Sequence, residues 1–105
     1  MPRYLFKATY TIEGAKGLLA EGGKARRDVI ARAAESVGGR METFDFAFGE
    51  HDVYLICEVP DHAAAAKVAL TVKAAGGATV ETVVLISPEE IASTADDVAY
   101  TPPGG

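Results

Sequence analysis

"RMETFDFAFGEHDVYLICEV" (residues 40–59) decides the fold of this chain. It is rich in aromatic and β-branched residues, alternates over its first half, and breaks at "GEH" before a second apolar run. Two such runs around a short glycine-containing turn predict a β-hairpin. Helical patterns stand on both sides. Upstream, Ala25, Val29, Ile30, Ala33 and Val37 repeat at helical spacing and stop at Gly38–Gly39. Downstream, Asp61 is an N-cap for "HAAAAKVALTVKAAGG", whose stripe is Ala65, Val68, Val72 and Ala75.

Each helix leads outward to one more strand. "RYLFKATYT" (residues 3–11) precedes the first, with Tyr4, Phe6, Ala8 and Tyr10 on one side and Arg3, Leu5, Lys7 and Thr9 on the other. Between them "IEGAKGLLAEGG" begins a helix that the Gly22–Gly23 pair bends or breaks. "ATVETVVLI" (residues 78–86) follows the second helix, and "SPEE" (residues 87–90) carries a capping box for a short last one. The order is β-α-β-β-α-β. This predicts an α+β, ferredoxin-like sandwich: a four-stranded antiparallel sheet with two helices on one face, the first and third strands in the centre.

In the hairpin, alternation puts Glu42, Phe44, Phe46 and Phe48 on one face and Met41, Thr43, Asp45 and Ala47 on the other. The third strand is apolar on both faces, with Val53, Leu55 and Cys57 opposed to Tyr54 and Ile56. The fourth repeats this, so the second sheet face is expected to be buried too. A second copy packed sheet to sheet is the lid this predicts. Edge strands and the tail "YTPPGG" could bridge dimers into higher oligomers.

With 105 residues and 49% of them hydrophobic, the chain fits one domain, assigned to residues 1–95 with an irregular tail over 96–105. A net charge of −5 argues against nucleic acid and anionic membranes as partners. "KARRDVIAR" (residues 24–32) reads as a solvated helix face, the alternative being a phosphate or carboxylate site on Arg26 or Arg27. The lone Cys57 excludes an intrachain disulfide and reads as a small buried hydrophobe. No signal or membrane-spanning pattern is found, so a cytosolic location is expected.

Several pieces resemble the GYD-domain family: "YLFKATYTIEGAKGLL", "FAFGEHDVYLI" and "ETVVLISPEE". Gly49 and Asp52 match its glycine-x-tyrosine-aspartate motif, while His51 stands at the tyrosine position. The resemblance spans roughly residues 3–95. It implies a small bacterial or archaeal protein of the dimeric α/β-barrel type. That fold group includes cofactor-free monooxygenases, muconolactone isomerase, haem-linked chlorite dismutases and ligand domains of transcription factors. Fold analogy over so broad a set names no reaction.

The residues offer three candidate sites. His51 beside Asp52 suggests acid–base work. Neighbours in a strand face opposite ways, however, so the pair reads first as a hairpin corner, with Gly49 at positive φ and Asp52 on nearby amides. Tyr4, Tyr10 and Tyr54 would bring phenols to a ligand cavity between sheet and helices or in the barrel interior, unless their hydroxyls are satisfied at a dimer edge. Lys7 or Asp45 would be a polar handle there, unless Lys7 pairs with Asp45, Glu58 or Glu81. His51 and His62 lack a metal-ligand spacing, and "EGAKG" and "EGGK" lack the end of a phosphate loop, so no metal or other cofactor is expected. The expectation is a small-ligand-binding or accessory homo-oligomer. The alternatives are a cofactor-independent monooxygenase or isomerase acting on a small aromatic or enol substrate, with Lys7, His51 and Asp52 as weak catalytic candidates, and a purely structural assembly.

Overall fold

The computed structural model describes residues 1–94 and 98–105. Residues 95–97, where the sequence puts the junction of domain and tail, lie outside the described residues. The elements run β1 (Arg3–Tyr10), α1 (Ile12–Glu21), α2 (Gly23–Ser36), β2 (Arg40–Phe46), β3 (Val53–Glu58), α3 (His62–Ala74), β4 (Ala78–Leu85) and α4 (Pro88–Ala92). All neighbouring strands are antiparallel, in the order β2-β3-β1-β4. The fold is the expected α+β, ferredoxin-like one, with β1 and β3 in the centre.

The first crossover is two helices rather than one bent helix. Gly22 sits between them at φ 93°, a conformation glycine reaches without steric cost. Its N–H still bonds the Leu18 carbonyl, and its own carbonyl accepts from Arg26, so both helix ends stay satisfied. Thr11 caps α1 by accepting from Gly14 N, and its N–H bonds the Gly77 carbonyl at 3.0 Å. Gly14 thus presses α1 onto the loop before β4. A Cβ there would stand 1.8 Å from the Gly77 carbonyl oxygen.

The core lies on the helix side of the sheet, built from Tyr4, Phe6 and Ala8 of β1, Val53, Leu55 and Cys57 of β3, with Val59, Ala34 and Ala65. In β2 the alternation predicted from the sequence is corrected. Met41 pairs with Cys57 but Thr43 with Ile56, so Glu42 is an extra residue in a β-bulge. The bulge reverses the pleat, which lets Met41, Phe44 and Phe46 all pack against the core. Freed from the ladder, the Glu42 carboxylate meets Arg3 at 2.8 Å, and that partner holds it below the usual carboxylate range.

The hairpin turn also differs from the expectation. β2 stops at Phe46, and it is Phe48 that takes the positive φ, at 55°, rather than Gly49. Phe48 stacks on Phe46 with ring centroids 5.8 Å apart, and this contact accompanies the unusual backbone. No helix among the described residues is long and apolar enough to cross a membrane.

Candidate functional site

Two arrangements stand out, one on each face of the sheet. On the helix side, α2 lies over β2 and α3 over β4, with little direct contact between the two helices. Beside Val29 and Ile30 of α2 and Val68 and Val72 of α3, several of the helix residues that line this gap are small: Ala33 and Ala34 on α2, Ala69 on α3 and Ala75 just after it. Alanine side chains cannot fill the space between helices seated on separate strands. A cavity of about 280 Å³ remains, floored by Phe6, Leu55 and Cys57. An apolar void of this size costs about 7 kcal/mol at about 24 cal/mol per Å³ if it is closed and empty, less where it opens to solvent. That is comparable with the whole stability of a domain this size.

The lining is almost wholly apolar. Its polar groups are Arg26 of α2, the phenol of Tyr10 at the end of β1, and Thr71, whose hydroxyl is already donated to the Lys67 carbonyl. Arg26 contacts Glu21 at 3.4 Å through one nitrogen, Nη1, and its side chain is 29% exposed, so it stands where the lining meets solvent. Burial raises the Tyr10 phenol above its usual pKa, and the nearby Arg26 charge partly opposes this. The phenol is therefore neutral and able to donate near pH 7.

Cys57 lines the cavity floor and is only 2% exposed. Burial pushes its thiol from about 9 up to about 11. We expect alkylation at pH 8 to be about a hundredfold slower than for a free thiol, measured by mass spectrometry over time. Labelling at the rate of free cysteine would contradict a closed floor. The same shift bears on stability. Between about pH 9 and about 11 the unfolded thiol has lost its proton while the folded one keeps it, so stability falls as pH rises through that window.

On the open face of the sheet the strand register aligns a row of polar side chains. Lys7 pairs with Glu81 across β1–β4, its Nζ 3.6 Å from Oε1. The other carboxylate oxygen of Glu81 is 3.4 Å from His51 Nε2, and His51 Nδ1 is 3.1 Å from the Thr9 hydroxyl. Which of the Thr9 hydroxyl and Nδ1 donates depends on the tautomer of the ring. Tyr54 packs edge-on against the His51 ring with centroids 5.9 Å apart. Around this row lie the half-buried apolar side chains Leu5, Ile56, Val83 and Leu85.

The sequence candidates are thereby separated. Of the three tyrosines only Tyr10 lines the cavity. Tyr4 is buried on the same face, but its hydroxyl is committed to His62 Nδ1 at 2.5 Å. Tyr54 is on the opposite face, opposite Lys7 in the ladder. Lys7 and His51 share a cluster there, and the sheet divides them from the cavity. His51 and Asp52 do not bond each other: Asp52 instead accepts from Tyr10 N at 2.8 Å, tying the hairpin turn to the end of β1. His51 and His62 lie on opposite faces and cannot share a metal ion. Sequence reading did not find Cys57 as cavity floor, or Thr9 as a partner of His51. The facing alanine stripes of the two crossovers were the available signal for a cavity.

Among known families, the GYD domain model matches residues 4–95. No curated protein and no solved structure matches the chain.

Proposed function

The chain belongs to the GYD domain family, and from that premise we propose that it is a small-ligand-binding homodimer. The observation that carries this reading is the apolar cavity under α2 and α3. It is close in size to the smaller natural ligand sites and has a few polar groups, Arg26 and Tyr10 among them, in an apolar lining. Of the candidate catalytic groups, Lys7 and His51 lie across the sheet from it and Asp52 is engaged by the Tyr10 N–H, which supports binding rather than turnover. The free, buried Cys57 fits a reducing cytosol.

Thermal-shift screening of small apolar compounds tests the binding. A ligand at a hundred times its Kd stabilises by about 2.7 kcal/mol, roughly 10 °C in Tm for a domain of this length. Ala33→Phe, which fills the cavity from α2, abolishes that shift. A wild-type protein that responds to no such compound, or an Ala33→Phe variant that responds equally, would falsify the reading.

The second copy covers the open sheet face. Four strands about 4.8 Å apart and about seven residues long present roughly 450 Å², so two faces remove roughly 900 Å² before side-chain relief is counted. This is close to the ~1,000 Å² total of a specific interface. Most charges of the face are already neutralised within one copy, as Arg3–Glu42, Arg40–Glu58 and Lys7–Glu81 around an apolar centre, which lowers the cost of bringing two such faces together. Light scattering is expected to give a dimer for the wild type and a monomer for Ile56→Lys, which puts an ammonium in that centre. A monomeric wild type at micromolar concentration would overturn the assembly and leave the cavity untouched.

A further inference from the structure

The polar end of the cavity has a chemistry of its own. Arg26 is the one charged side chain in the lining of the cavity, and Glu21 engages one of its nitrogens. Its remaining donors, and the Tyr10 hydroxyl, have no hydrogen-bond partner among the described residues. The two groups are close enough for the guanidinium charge to act on the phenol, where the Asp52 and Glu21 carboxylates act in the opposite sense, Asp52 being held by the Tyr10 N–H and Glu21 by Arg26. A ligand that fills the apolar space covers this rim and takes water from these donors. A neutral ligand end would leave them poorly paired, which is costly, whereas an acceptor bearing charge satisfies them.

We propose that the cavity selects small monocarboxylates, with an apolar body of roughly ten non-hydrogen atoms between the helices and the sheet and the carboxylate received by Arg26 and Tyr10. This inference rests on the binding reading above and adds the ligand class to it. One guanidinium and one phenol match a single negative charge. A phosphate dianion would need further cations, and Glu21 beside Arg26 opposes a second charge. The planar fork of Arg26 suits the two oxygens of a carboxylate. The body is set by the wall: a cavity of about 150 Å³ holds benzene, so about 280 Å³ takes a short branched or straight chain or a single ring with a side chain.

Glu21 gives the sharpest test, because it competes with the ligand for Arg26 without lining the cavity. Calorimetric titration would compare octanoate with 1-octanol and cinnamate with cinnamyl alcohol. On the wild type the acids bind at least about tenfold more tightly than the alcohols. Arg26→Gln removes that preference and leaves the alcohols bound as before. Glu21→Gln tightens the acids several-fold and leaves the alcohols unchanged, and as a substitution at an exposed helix end it does not threaten the fold. Equal binding of acids and alcohols by the wild type overturns the carboxylate assignment and keeps the cavity as a binding site. A preference that survives Arg26→Gln, or acids unaffected by Glu21→Gln, also overturns it. If neither series binds, both this inference and the binding reading fall together.

Discussion

Gly14→Ala is expected to destabilise the protein by about 2 kcal/mol, lowering Tm by roughly 10 °C, although alanine is the better helix former. The reason is a contact with backbone. The new methyl would stand 1.8 Å from the Gly77 carbonyl oxygen and 2.8 Å from its carbon, neither of which can rotate aside. α1 must lift off the β4 approach, which strains the hydrogen bonds that Thr11 makes to the Gly76 and Gly77 carbonyls. Gly17, three residues on in the same helix, is the control. Nothing lies within 4 Å of a Cβ there, so Gly17→Ala should stabilise by about 0.5–1 kcal/mol through helix propensity alone. Thermal unfolding of both variants checks the pair. Shifts of the same sign would mean that α1 is not seated as described.

Phe6→Ala carries the larger effect, a loss of about 3–5 kcal/mol. Phe6 is 3% exposed in the central strand, and its ring forms part of the cavity floor. The space it leaves is therefore not a new void but an enlargement of the existing one. If the variant remains folded, its affinity should move toward bulkier ligands, and such ligands should restore part of the lost stability. Denaturant titration with and without a two-ring carboxylate measures both effects. A full-sized loss that no ligand recovers would separate the Phe6 site from the cavity.

The architecture was legible because each element carries several agreeing signals. Asp61, Ser87 and the Gly22–Gly23 pair mark helix boundaries through side-chain oxygens and backbone freedom, which are local effects. The face of β2 was not legible. A bulge at Glu42 depends on what Met41 can bury against Cys57 and on a charge partner, Arg3, 39 residues away. Period-two reasoning has no access to either. The corner at "GEHD" misled for a similar reason. Asp52 was expected to serve its own turn, but the amide it satisfies is Tyr10's, supplied by a strand from the other end of the chain.

The candidate site was half visible. Lys7 with Glu81 was among the pairings foreseen, and Tyr10 was named for a cavity. Pattern cannot measure the gap between two helices, however, so the alanines of α2 and α3 hint at a void without giving its size. Arg26 looked like one basic residue in a solvated run. Only the turn of α2 over the sheet puts it at the rim.

The position of β1 has a consequence for how the molecule is made. It is made before the other strands of this sheet, yet its two neighbours are β3 and β4, and the latter runs to Leu85. β1 can pair with β3 once Glu58 has been made, but its other hydrogen-bonding edge stays open until β4 follows. Native closure is thus a late event of high contact order, slow compared with helical proteins of equal length. Nascent chains stalled before β4 would hold Tyr4, Phe6 and Ala8 without a complete sheet, and these are the species on which aggregation or chaperone capture should fall.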